Sequence, residues 1–174
     1  MKTLRLLAAS VLALGVGVAN AATTSDTFNV TADVVGNCLV SATDLAFGNY
    51  DPIDVNSATG ADKDASSTIT TTCTLGHGIS INIDDGGYAG QTAYTRNMEF
   101  DDSGTKYYLG YQLYRNSYND AWTSAVGDDL AAAGTGAALD TTVEGRIPKG
   151  QDATTLKAST GGGYQDVLTV TVTF

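Results

Sequence analysis

His77 is the only histidine of the chain. It sits in "LGHGI", flanked by glycines, with no acid or nucleophile patterned around it. A general base works only beside the group it deprotonates and a group that orients it. This stretch supplies neither, so His77 reads as a loop residue. Glu99 and Glu144 could form the carboxylate pair of a glycosidase, but two glutamates among 19 acidic residues make no pattern. The pairs Asp84-Asp85, Asp101-Asp102 and Asp128-Asp129 invite a calcium reading. A calcium loop alternates its carboxylates and ends in a distant bidentate acid; "DDGGYAGQTAYT" does neither. No G-x-S-x-G, H-E-x-x-H or phosphate loop is present. Trp122 and Tyr107, Tyr108, Tyr111, Tyr114 and Tyr118 could stack on sugar rings if exposed. Buried, they would fill a sandwich core or a subunit interface. The expectation is therefore a protein with no catalytic residues, no metal and no cofactor.

Lys2 and Arg5 precede "LLAASVLALGVGV" and the small-x-small stretch Ala19-Asn20-Ala21, which reads residues 1–21 as a cleaved secretory signal peptide. The apolar run is short for a membrane span and has no stop-transfer flank. No later stretch is apolar and long enough, so no membrane insertion is expected. Removing 21 of 174 residues leaves 153, with 19 acidic against 7 basic residues, a formal charge of −12. That charge repels phosphates and excludes nucleic acid as a partner. Cys38 and Cys73 are the two cysteines. In an exported chain an even, minimal pair forms a bridge. Closing a loop of that size restricts the unfolded chain by about 3–4 kcal/mol.

The elements that would carry these residues are strands. "TFNVTADVV" sets Phe28, Val30, Ala32 and Val34 against Asn29, Thr31 and Asp33. "SSTITTTC", "GISINID", "YYLGYQLY" and "DVLTVTVTF" repeat the period of two. Clusters of Gly, Asp, Asn and Ser lie between them as turns: "SATGADKDAS", "DDGGYAGQ", "DDSGT", "AAAGTGAA" and "STGGG". The one helix-like composition, "DDLAAAGTGAAL", is spoiled by Gly134 and Gly136. Short alternating strands with turn-rich joints predict an antiparallel β-sandwich. One boundary is drawn near Gly36, separating an N-terminal segment, 22–36, from a domain, 37–174.

"DVLTVTVTF" raises the functional question. Leu168, Val170, Val172 and Phe174 share one face, and nothing charged follows Asp166 to blunt the strand's edge. An open edge is a template for another strand and must be covered. The N-terminal segment has the same period and similar length. Burying its Val and Phe side chains would contribute ~1.5–3 kcal/mol each, and each ladder hydrogen bond a net ~0.5–1.5 kcal/mol. The sum rivals the whole stability of a domain. Whether the pairing falls within one chain or between chains is open on local sequence.

"FGNYDP" (from Phe47 to Pro52), "TTCTLG" around Cys73, "TRNM", "YLGYQLYRN", Trp122, "GRIPKGQ" and "GGYQDVLTVTVTF" occur in that order. Over nearly all of the mature chain they resemble the spore coat protein U domain of archaic chaperone–usher pilins. One departure is Thr123 after Trp122, where the family often has glycine. The resemblance implies an incomplete immunoglobulin-like β-sandwich, completed by a donor strand from another subunit. It implies Phe28, Val30, Ala32 and Val34 as donor side chains. It makes Leu168, Val170, Val172 and Phe174 the edge that chaperone and donor meet, with the Phe174 carboxylate anchoring basic chaperone residues, and Cys38–Cys73 the family bridge. Implied partners are other pilin subunits or copies of this chain, a periplasmic chaperone and an outer-membrane usher. The implied location is a pilus at the cell surface, reached through the periplasm, with attachment and biofilm formation as the outcome and a shaft or adaptor position favoured. The rival readings are a spore-coat-like or extracellular matrix structural protein, and a glycan-binding adhesin subunit using Trp122 and the tyrosines.

Overall fold

The computed structural model describes residues 21–160 and 163–174. The expected leader therefore falls outside the described residues, apart from Ala21, and so does part of "STGGG". By its contacts the chain divides into a unit ending at Asp33 and a second unit, Val34–Phe174. The described part of the first unit carries no strand and is exposed throughout. Phe28 and Val30 are 86% and 84% exposed. Alternation in "TFNVTADVV" predicts a strand, and none is formed there. A period of two makes a segment able to pair, but a strand exists only where another backbone takes up its hydrogen bonds. Val34, the first residue of the second unit, is also 86% exposed.

The second unit holds the strands β1 (Cys38–Ala42), β2 (Lys63–Cys73), β3 (Gly78–Ile83), β4 (Arg96–Asp102), β5 (Thr105–Arg115), β6 (Asp120–Ala121), β7 (Leu130–Ala133), β8 (Ala138–Ile147) and β9 (Val170–Thr173). They form two antiparallel sheets. One has the order β1-β2-β8-β5-β4 with β6 also on β5; the other has the order β7-β3-β9. No helix occurs among the described residues. The glycine-broken "DDLAAAGTGAAL" becomes β7, a turn and the start of β8. The expected turn "DDSGT" is a tight hairpin joining β4 and β5. Ser103 and Gly104 both have positive φ, 57° and 95°, and Asp101 Oδ1 accepts the Gly104 N–H at 2.6 Å. Two consecutive positive-φ residues match the right-handed twist of the flanking strands.

The core lies between the sheets. Each sheet sends alternate side chains inward. β3 contributes Ile79, Ile81 and Ile83, all at most 5% exposed, and β2, β5 and β8 contribute Ile69, Leu109, Tyr111, Leu113, Val143 and Ile147. Trp122, just after β6, is completely buried. At one end of the sandwich Cys38 and Cys73 face each other in the β1–β2 register and form the expected disulfide. Among the described residues β1 pairs with β2 alone, so the bridge holds an edge strand to its neighbour. Cys38→Ser should lower unfolding stability by about 3–4 kcal/mol. Denaturant titration under oxidising and reducing conditions checks this: the variant should match the reduced parent and fall below the oxidised one.

Candidate functional site

A cleft of about 610 Å³ opens between the edges of the two sheets. One wall is the end of β1 and the chain after it, Ala42, Thr43, Asp44, Leu45 and Phe47. The other is the approach to β9, Val167 and Leu168, with Val170. The floor is the core itself: Ile69, Ile83, Tyr111, Leu113 and Val143. Each of these floor side chains is at most 4% exposed. An apolar trough that reaches the centre of a sandwich is a place for side chains, not for a polar substrate.

β9 borders this trough with one edge only. It pairs with β3 through Ile83↔Val170, Asn82↔Thr171, Ile81↔Val172 and Ser80↔Thr173, and with no other strand among the described residues. Just before β9, Thr169 C=O accepts the Asp84 N–H at 3.1 Å, and Thr169 N–H donates to Asp84 Oδ1 at 2.9 Å. Backbone groups alternate sides along an antiparallel strand. Thr169, Thr171 and Thr173 therefore spend theirs on β3, while Leu168, Val170 and Val172 point theirs to the open edge. The same three side chains pack against the core. One row of residues thus presents both unpaired backbone and apolar surface to the cleft.

Polar contacts hold this row in place. Asp166 Oδ2 accepts the Tyr111 hydroxyl at 2.7 Å, and its Oδ1 accepts the N–H groups of Gly87 and Val167, each at 2.9 Å. Burial and this hydrogen bond push the Tyr111 phenol up, keeping it a donor. Arg96, 3% exposed, donates to the carbonyls of Asp84, Trp122 and Ile83 at 2.8, 2.6 and 2.9 Å. Burial lowers the Arg96 pKa, and Asp85 at 3.8 Å opposes that shift. A guanidinium satisfied by carbonyls ties the end of β3 to the chain after β6. β9 is thus fixed from the β3 side.

The sequence candidates distribute as follows. Leu168 and Val170 line the cleft and Val172 continues the row against the core, whereas Phe174 is 52% exposed and lies edge-on to His77, with ring centroids 6.0 Å apart. Phe28, Val30, Ala32 and Val34 are exposed. Trp122 is corrected as a sugar platform: at 0% exposure its ring cannot stack on a ligand. Tyr111 is a core residue, and Tyr107, Tyr108, Tyr114 and Tyr118 are half-buried. Glu99 is occupied by Lys106 and Tyr108, at 2.6 and 3.0 Å, and Glu144 by the Tyr118 N–H at 2.8 Å. Asp84 and Asp101 bond to nearby backbone, and Asp129 accepts from Ser80 and Asn82. The wall from Ala42 to Leu45 went unread, and Arg96 and Phe47 were noticed only within the motifs "TRNM" and "FGNYDP", which give no sign of a clamp or a cleft wall.

The spore coat protein U domain matches residues 24–171. This chain belongs to the spore coat protein U domain family. It is 34% identical to Protein U of Myxococcus xanthus over 163 residues, which cover 90% of this chain and 88% of that protein. Its fold is similar to a crystal structure of the CsuC–CsuE chaperone–tip adhesion subunit pre-assembly complex from archaic chaperone–usher Csu pili of Acinetobacter baumannii. The TM-score is 0.54 at 22% identity, and the match covers 81% of this chain but 40% of that one. The spore coat U domain of this chain is an all-β sandwich, the fold it shares with that pilus subunit complex.

Asp84 gives the site a pH dependence. Burial acts to raise its pKa, but hydrogen bonds from Thr169 and Gly86 outweigh it, and the net value lies below the ordinary 3.8. A carboxylate depressed in the folded state adds stability that is present above the unfolded pKa. That stability is lost as pH falls through the folded value. The denaturation midpoint should therefore drop as pH is lowered below about 4. Asp84→Asn should make the drop shallower, as read by denaturant titration across pH 2–6.

Proposed function

We propose that this chain is a fibre-forming subunit of a chaperone–usher system, polymerised by strand exchange. The segment 22–36 of one subunit fills the cleft of the next, with Phe28, Val30, Ala32 and Val34 directed to its floor. The observation that carries this reading is the open edge of β9: unpaired backbone over an apolar trough, in a chain whose own alternating segment is exposed. Strand addition uses both features, main-chain bonds for affinity and alternate side chains for fit. The spacing also suits it. From position 28 to position 34 an extended strand runs roughly 20 Å at about 3.3 Å per residue.

During export a periplasmic chaperone would cover the same edge, at Leu168, Val170, Val172 and Phe174, and an outer-membrane usher would exchange it for the next subunit. The destination is the cell surface, where such fibres serve attachment and biofilm formation. The similarity to Protein U favours a second reading, in which the same fold and strand exchange build a coat or matrix layer instead of a fibre. Recovery of the chain in fibres sheared from cells would separate the two readings.

Deleting residues 22–35 should leave a subunit that accepts a strand but cannot donate one. In reconstituted assembly with chaperone and usher it should terminate polymers, and long fibres made of the deleted chain alone would contradict the reading. Val30→Asp should reduce polymer yield well beyond Thr31→Asp, because a charge on the inward face must be desolvated. Sedimentation of the assembled material reads this, and equal effects would place the wrong face in the cleft.

A further inference from the structure

We propose that His77 locks the joint from which the donor segment leaves the sandwich, an inference that rests on reading residues 28–34 as that donor. A glycine at the border of a domain is ordinarily a swivel, because it has no Cβ to restrict it. Gly36 is covered. A Cβ built there would lie 2.7 Å from Cε1 and 2.9 Å from Nδ1 of His77. Any larger residue here would have to displace the imidazole that occupies the space beside the α-carbon.

The ring is itself held. Phe174 stands edge-on against it, with centroids 6.0 Å apart and planes at 69°. The His77 N–H donates to Thr74 C=O at 3.2 Å, and the His77 C=O accepts the Gly134 N–H at 2.7 Å. The same turn grips the chain on either side of Gly36. Asn37 N–H donates to Thr74 Oγ1 at 3.0 Å, and Thr74 N–H donates to Asn37 C=O at 2.9 Å. The Thr74 hydroxyl reaches the Val35 carbonyl at 3.5 Å, and the disulfide follows at Cys38.

Only Val35 separates Val34, the last donor side chain, from that glycine. Two extended steps span about 7 Å. A subunit whose Val34 sits in a neighbour's cleft is thus held within that distance of it. With Gly36 locked it meets the neighbour at a restricted angle. His77 is a positioning residue: it acts through Gly36 on the direction of the donor.

Backbone ¹⁵N relaxation of the mature monomeric chain reads the joint directly. Gly36 and Asn37 should show order parameters of rigid backbone, about 0.85, in the parent and in His77→Phe, which keeps a ring over the glycine. In His77→Ala the Gly36 value should fall below about 0.6 with the rest of the sandwich unaffected. A merely structural role would lower the thermal midpoint without singling out Gly36, and would not be rescued by phenylalanine. Should His77→Ala not fold, the parent value still decides, because a Gly36 as mobile as residues 24–30 overturns the lock. An unchanged Gly36 in a folded His77→Ala overturns it too. If Gly36 is rigid but the parent chain never exchanges strands, the lock stands and the donor reading falls.

Discussion

The governing constraint is the unmatched edge of β9. A sheet edge carries backbone donors and acceptors that water can satisfy, but the residues here combine those groups with side chains that belong to the core. Leu168, Val170 and Val172 face inward beside a cleft that reaches Ile69, Ile83, Tyr111, Leu113 and Val143. Water can solvate the backbone of such a row, yet it leaves apolar area exposed at a cost of roughly 25 cal/mol per Å². Another strand removes both penalties together, which is why the cleft selects a backbone with alternating apolar side chains over a compact ligand.

The rest of the molecule keeps that edge presentable. β3 lies between β7 and β9 and carries three of the core isoleucines, so β9 is registered by the best-buried strand of its sheet. Asp84, Asp166, Tyr111 and Arg96 replace the strand pairing that is missing where β9 begins. These groups bond almost wholly to backbone or to each other, so the polar cluster is satisfied within the fold. At the opposite end of β9, Phe174 leans on His77, and His77 covers Gly36. One ring therefore touches both the terminal residue of the accepting strand and the root of the segment assigned as donor.

The period-two patterns made β2, β3, β5 and β9 legible, because each has one face in the core. β8 was hidden although it is central. Its inward positions include Gly145, against which Leu45 and Phe47 pack, so its apolar face is interrupted where it is most crowded. β4 was missed because Arg96 and Asn97, at 3% and 0% exposure, are buried polar residues that break the hydrophobic signal. The alternation at residues 27–35 was visible, but pattern alone could not say whether a partner strand was present. Of the cleft only the β9 edge could be read: the opposite wall, Ala42–Phe47, is far from Val167–Val170 in sequence. Trp122 stayed open between a sugar platform and the core, since a lone tryptophan in a loop-like stretch gives no sign of complete burial.

Amide hydrogen exchange at β9 tests the central claim most directly. The chain lacking residues 22–35 would be measured alone and with a synthetic peptide spanning residues 24–36. Alone, Thr171 and Thr173 should be protected by β3 while Val170 and Val172 exchange fast. With peptide, Val170 and Val172 should become protected, and the peptide carrying Val30→Asp should fail to protect them. Protection of Val170 and Val172 without any added strand, or no change when the peptide is present, would contradict the account.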